Sequence, residues 1–320
     1  MHITVTRHYD GFWARKNVVG LGIAAALLAA SVVGLASCLK SGTHRLTTKT
    51  PKPQTEQQLA VPGSGEGSER NTPASLNQVT RNVAASVQMQ FMRPAQLEAA
   101  ARNFPVVYVP FGTIEWHGRH LPIGTDALKA HGILVKTAEK FGGVVYPPVY
   151  FESGAGGEDL VRMVTALFRR LKAAGFRVII GVSGHNVQEQ IDMINTALKP
   201  VVKDGTVAGI GLWEVTLSAG KECNTDHAAK WETSDMMALY PDLVDVSELG
   251  SGPLAPDMKP PDGIGGLDPR VHASSDVGWR SVEIAAEAIG QKARELLKSL
   301  PEDQQSFRLD SVSPEYWWMM

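Results

Sequence analysis

Cysteine is nearly missing from this chain: its 320 residues hold two, Cys38 and Cys223. Cys38 closes an N-terminal apolar run, so Cys223 has no partner within the folded part and no internal disulfide is possible. Stability must come from a buried core or a bound metal. An excess of one charge is missing as well. Lys and Arg number 31 against 33 acidic residues, a net of −2, which excludes the electrostatic footprint of a nucleic-acid binder. Aromatic residues are absent from 39 to 78, a segment rich in Thr, Pro, Gly, Ser and Gln. Such a composition cannot bury enough apolar surface to offset ordering, so it reads as a disordered tether. As a flexible coil it spans on the order of 35 Å. The remainder is ordinary for a globular domain, with 43% hydrophobic and 20% charged residues overall.

Only one long apolar run is present. Val18 to Ser37 carries no charge and follows Arg7, Arg15 and Lys16. It has the make-up of a signal sequence or a single membrane anchor. Its end, Leu35-Ala36-Ser37-Cys38, resembles a bacterial lipobox, which implies cleavage before Cys38 and lipidation of that residue; an uncleaved transmembrane anchor is the alternative. The expected organisation is 1–38 as signal peptide or anchor, 39–78 as tether, 79–300 as the catalytic domain and 301–320 as a C-terminal extension. The domain is then displayed on the extracytoplasmic side of a bacterial envelope.

Between 79 and 300, strand and helix patterns alternate. Helices are expected at 94–102, 126–140, 158–174, 187–198, 232–240 and 278–298, and strands at 105–111, 144–146, 178–182 and 207–213. Gly175 stands where a helix C-cap belongs. This alternation predicts an α/β domain with a parallel, doubly wound sheet, whose sites form at the carboxyl ends of strands.

Three segments carry chemistry. The first is Glu115-Trp116-His117-Gly118-Arg119-His120-Leu121-Pro122, followed by Thr125-Asp126. If the preceding strand extends to His117, Glu115 and His117 point to one face, and Asp126 folds back from the loop. Glu, His and Asp converging there form a mixed N/O set suited to zinc, manganese or iron. The second is Ser183-Gly184-His185-Asn186, which places His185 on a strand-to-helix turn at the same sheet edge. The third is Asp226-His227 followed by Glu232-Thr233-Ser234. There Asp226 is placed to hold an imidazole for proton transfer, although Thr233 and Ser234 read equally as helix-entry residues. His120 reads as a structural residue orienting its loop, His131 and His272 as surface positions, and Cys223 as unreactive.

Together these segments resemble the creatininase (creatinine amidohydrolase) family over about residues 95–297. Glu115-Trp116-His117-Gly118 with His120-Leu121-Pro122 and Thr125-Asp126 is similar to that family's first metal motif. Ser183 to Asn186 resembles its Asn-Gly-His-Gly-Gly-Asn turn, and His227 to Ser234 its His-Ala-Gly-Glu-x-Glu-Thr-Ser segment. Gly266-Leu267-Asp268-Pro269, with Ala273, Ser274 and Gly278, is similar to its C-terminal loop and last helix. The resemblance implies a single three-layer α/β/α catalytic domain with a mostly parallel sheet. It implies one or two divalent ions and hydrolysis of a non-peptide amide, lactam or formamide C–N bond. Glu115, His117, Asp126 and His185 then correspond to metal ligands, with Asp126 bridging. His227 corresponds to the proton shuttle with Asp226 beside it, and Glu232 to a further ligand or a group just behind the ligands.

Three departures stand out. Val187 replaces the metal-binding Glu that creatininase carries two residues after the second motif's His. Lys230 and Ala229 replace an acidic residue and a Gly of the third motif. The loop around Ser153 to Gly157 is short. Expected partners are a small-molecule amide, the membrane through the N-terminus and further copies of the chain, with no nucleic acid. Val187 and Lys230 motivate one alternative, a binding or scaffolding lipoprotein that has lost turnover. Hydrolysis of another bond such as a phosphoester is a second, but no Lys- or Arg-rich pocket beyond Arg119 and Lys230 supports it.

Overall fold

The computed structural model describes residues 86–308, apart from 153–156, 221, 256–257 and 260. The apolar run, the tether, the expected domain start at 79 and the end of the C-terminal extension lie outside the described residues. Among the described residues no helix is long and apolar enough to cross a membrane.

Strand β1 (Val106–Ile114) is buried along its first eight residues, as expected of a strand covered on both faces. It pairs in parallel with β4 (Val178–Ser183), Val107 opposite Ile179. Its other edge meets β2 (Val144–Val145), Val107 opposite Val144, and then β3 (Val149–Glu152), Phe111 opposite Val149. β5 (Ala208–Trp213) adds beyond β4, Ile180 opposite Ile210. Among the described residues every strand pairing of this sheet is parallel.

Because side chains alternate across a strand, β1 feeds two cores. Val107, Val109 and Phe111 pack with Ile179 under α1 (Pro94–Asn103), α3 (Glu158–Ala173) and α4 (Gln188–Val202). Val106 and Tyr108 pack with Ile180 and Val182 under α2 (Thr125–Phe141) and the long helix α7 (Ser275–Ser299). The result is the expected three-layer α/β/α arrangement. Helix α5 (Lys230–Leu239) lies against α7, and the short helix α6 (Pro269–His272) precedes α7.

Three details differ from the sequence pattern. The strand expected at 144–146 stops at Val145 and resumes as β3, because Pro147-Pro148 has no N–H to offer a ladder. Helix α4 runs through Pro200 to Val202, where buried Val201 joins the core. β1 ends at Ile114, not at His117.

One packing feature sets up everything at the carboxyl edge. The first turn of α2 wedges between β1 and the end of β4. A Cβ on Gly112 would sit 2.2 Å from the Ala127 amide nitrogen, and one on Gly184 2.0 Å from the Asp126 carbonyl oxygen. Only glycine permits this approach at either position. Gly184→Ala should therefore cost about 1–3 kcal/mol through overpacking and shift Asp126. A thermal melt should show a lower midpoint, and elemental analysis a lower metal content; an unchanged melt and content would contradict the wedge.

Candidate metal centre

Side chains from four segments meet at the carboxyl edge of the sheet. Glu115 and His117 occupy the loop after β1, so strand alternation does not align them; a turn does. The Glu115 N–H donates to the Ile123 carbonyl at 3.0 Å, folding the loop back toward α2. Asp126 lies in the first turn of α2, His185 follows β4, and His227 and Glu232 come from the approach to α5 and its first turn.

Asp126 is the hub. Its Oδ1 is 3.0 Å from His117 Nε2 and its Oδ2 is 3.1 Å from His185 Nδ1. The Thr113 N–H donates to Oδ2 at 3.2 Å. Glu232 Oε2 is 3.5 Å from His117 Nε2. Glu115 Oε1 is 3.2 Å from His185 Nδ1 and 3.8 Å from His117 Nε2. Two overlapping donor sets result, His117/Asp126/Glu232 and Glu115/Asp126/His185, and a third joins Glu115, His117 and His227.

The hydrogen bonding leaves the cluster in need of a proton or a metal ion. His117 Nδ1 sits 3.3 Å from the Glu115 carbonyl oxygen, which can only accept. The ring therefore donates from Nδ1 and presents Nε2 to two carboxylates, an acceptor facing acceptors unless a proton or a metal lies between. Tetrahedral bonds of about 2.1 Å place ligand atoms about 3.4 Å apart, and the spacings of 3.0, 3.1, 3.2 and 3.5 Å fall close to that. A backbone carbonyl orienting the ligand imidazole is the usual support behind such a ligand. The residues fit a divalent transition metal.

The protonation pattern agrees. Burial opposes charge on His185, but its hydrogen bonds to Asp126 and Glu115, with their charges, outweigh burial and raise its pKa to about 10. His117 is likewise raised, because Asp126 and Glu232 overcome its burial. Asp126 is held well below the usual carboxylate range, the two imidazoles overcoming its burial. In the metal-free protein, protons on these imidazoles stand where a cation would.

A layer of buried charge lies beneath. Lys129, one turn along α2 from Asp126, is 1% exposed. Its Nζ is 2.7 Å from Glu232 Oε1 and 2.8 Å from Glu214 Oε1. Burial disfavours the ammonium, but the surrounding carboxylates win and raise its pKa well above the usual value. Burial raises Glu214 and Asp235, with Lys129 opposing it in both. Glu232 is thus held at both oxygens, since Oε2 also accepts from the Ala228 N–H at 2.8 Å. Ala228 adopts φ 52° to deliver that N–H.

His227 faces the cluster from above, its ring stacked on His117 with centroids 4.6 Å apart. Its Nε2 donates to the Trp116 carbonyl at 2.9 Å. In the neutral ring that leaves Nδ1 as an acceptor, 3.7 Å from Glu115 Oε1.

The expected role of Asp226 is corrected. Its carboxylate accepts from the Trp231 and Glu232 amides at 2.9 and 3.2 Å, so it caps α5, and the Trp116 carbonyl holds the imidazole instead. His131 is also corrected: it is buried, bonded to the Tyr240 hydroxyl at 3.0 Å. His272 is exposed. His120 is buried on Thr233 Oγ1 at 2.9 Å; burial and the neighbouring His117 push its pKa down to about 4, consistent with a structural role. Cys223 is buried beside Ser218. Lys230 lays its ammonium over the Trp231 ring at 4.2 Å, away from the ligand sets.

Sequence reasoning missed Lys129, Glu214 and the Trp116 carbonyl. For Lys129 a signal existed: it lies three residues from Asp126, on the same helix face.

The family model for creatininase, creatinine amidohydrolase, matches residues 90–299. The chain belongs to the creatininase family. The creatinine amidohydrolase of Pseudomonas putida is 25% identical over 233 residues, covering 59% of this chain and 89% of that protein. A mycofactocin precursor peptide peptidase of Mycolicibacterium smegmatis is 29% identical over 170 residues, covering 48% of this chain and 65% of that one. Among solved structures, a manganese creatininase superposes with a TM-score of 0.52 at 25% identity, over 66% of this chain and 98% of that one.

Val187, two residues after His185, brings no carboxylate to the cluster, and Glu232 lies beside His117 with its other oxygen on Lys129. Loading should displace protons from the imidazoles. Titrating metal-free protein with zinc at pH 7 in weak buffer should release at least one proton per ion. Because His185 is raised in the metal-free state, the apparent affinity should climb about tenfold per pH unit for each proton released, and fall as pH drops. Binding without proton release would show that these imidazoles are not ligands.

Proposed function

We propose that this chain is a metal-dependent amidohydrolase cleaving a non-peptide C–N bond of a linear amide, cyclic amide or formamide. The observation that carries the reading is the sharing of Asp126 between two imidazole–carboxylate sets, with the acceptor Nδ1 of His227 facing the same cluster. Family membership and the named activity of the Pseudomonas putida relative support it.

Zinc, manganese or iron, when bound, supplies electrophilic activation of the amide carbonyl and of water. The protein does the rest. Glu115, His117, Asp126, His185 and Glu232 hold the charge in place. His227, with Nε2–H fixed on Trp116, takes a proton from water at Nδ1 and passes it to the departing nitrogen. The water oxygen stays on the carbonyl carbon as the C–N bond breaks, giving an acid and an amine or ammonia.

The inner set, His117/Asp126/Glu232, is buried and holds one ion tightly. The outer set, Glu115/Asp126/His185, has the same one imidazole and two carboxylates but is partly exposed, and would hold a second ion weakly. His227→Asn should leave metal content unchanged and lower turnover about 10²-fold or more. Glu232→Gln should lower affinity for the tight ion. Loss of metal in His227→Asn, or two tightly held ions in the wild type, would reverse these assignments.

The same reading places the domain outside a bacterial membrane, held through Cys38 or the 18–37 stretch. Its support is the sequence alone. Mass spectrometry of protein from membranes should find a lipidated Cys38 as the first residue; peptides from 18–37 would favour a spanning anchor.

A further inference from the structure

Beside the ligand cluster lies a cleft of about 970 Å³ between the N-terminal halves of α3 and α4. Its inner end is formed by His185 and Thr113. These are a member of the outer donor set and the residue whose N–H binds Asp126, so the cleft opens directly onto the reacting centre. Its volume is at the upper end of what a drug-sized ligand occupies, about 300–1,000 Å³.

The walls are apolar: Phe151, Leu160, Val161, Val187 and Met193. Val187 is 38% exposed and stands two residues from His185, so an apolar surface starts where the ligands end. Val187 is continuous with Leu160, Val161 and Met193 along the cleft, and a contiguous apolar surface of this kind marks a contact site where a lone exposed apolar residue does not. The rim has the opposite character. Glu152, Glu158, Glu189 and Asp192 line it against one cation, Arg162, and Arg162 is already paired with Glu158 and Asp159. A ligand bringing a carboxylate to this rim meets like charge, whereas a neutral or cationic one does not.

We propose that this cleft receives an apolar, non-anionic group attached to the amide that the metal centre hydrolyses, and that Val187 and Leu160 set specificity for it. The proposal rests on the amidohydrolase reading above, and the experiment separates the two. Zinc-loaded full-length protein is assayed for ammonia release from acetamide, hexanamide and adipamic acid, the last being hexanamide's analogue with a carboxylate at its far end. Binding is followed independently of turnover, through displacement of the uncharged fluorophore N-phenyl-1-naphthylamine.

Each methylene buried is worth roughly a fourfold gain. Hexanamide should therefore exceed acetamide by about tenfold or more in kcat/KM, and adipamic acid should fall about tenfold below hexanamide. Val187→Ser and Leu160→Asn, neither of which brings a charge to the donor sets, should each bring the hexanamide-to-acetamide ratio below about threefold, with zinc content and melting temperature retained. Both positions are partly or largely exposed, so if one variant fails to fold the other decides. Equal turnover of hexanamide and acetamide, or an unchanged ratio in the folded variants, overturns the cleft proposal and leaves amide hydrolysis standing. If no amide is turned over, the hydrolase reading fails and displacement alone decides. Hexanamide displacing the dye from the wild type but not from Leu160→Asn upholds the cleft, and no displacement overturns it. Dye uptake that appears only on dilution, in step with dissociation of a dimer, assigns the cleft to a second copy and overturns it as well.

Discussion

The divided carboxylate of Asp126 is the interaction on which the rest of the site depends. One oxygen faces His117 and the other faces His185, so a single side chain joins two donor sets whose imidazoles lie more than sixty residues apart in sequence. A buried carboxylate is costly unless its lone pairs are matched, and here two imidazoles and the Thr113 N–H match them. The arrangement needs the first turn of α2 pressed against two strands at once. Side chains at 112 or 184 would hold it off, and two glycines remove them.

Charge is layered beneath that hub. Three carboxylates, Glu214, Glu232 and Asp235, surround the Lys129 ammonium, all of them 1–2% exposed. Removing one member of such a buried set leaves uncompensated charge, which typically costs 3–5 kcal/mol. The lysine therefore belongs to the frame. It fixes Glu232 from behind at Oε1, which leaves Oε2 to the Ala228 N–H and to His117. The left-handed backbone of Ala228, a residue with a Cβ and so uncommon there, is sustained by that bond and by complete burial.

Much of this was legible in the sequence because the signals were local. Runs of five to seven residues marked β1, β4 and β5, and a glycine after α3 marked its end. The Glu115-x-His117 spacing with Asp126 announced a mixed donor set, and the structure brings all five candidate ligands together. The reason first read for that spacing was wrong: the strand ends before Glu115, and a turn closed by the Glu115–Ile123 bond does the aligning. What stayed hidden was long-range. Glu214 meets Lys129 across 85 residues of chain, and no periodicity announces that pairing. Asp226 beside His227 suggested a proton-relay pair. The amides of the following helix competed for the same carboxylate and won, as helix N-termini commonly do for a nearby Asp.

The two donor sets are unequal in a way that bears on how the site works. His117, Asp126 and Glu232 have side chains 0–2% exposed, backed by Lys129, whereas Glu115 and His185 are 17% and 19% exposed and His185 lines the cleft. A buried set with two carboxylates and a rigid backing suits permanent retention of charge. An open set with the same one imidazole and two carboxylates, but partly exposed and beside the apolar Val187, suits exchange with water and with incoming ligands. His227 stands over the boundary between them, stacked on the closed set's imidazole with Nδ1 toward the open set's carboxylate. Because Asp126 belongs to both sets, any charge that one of them holds acts on the other through the same carboxylate.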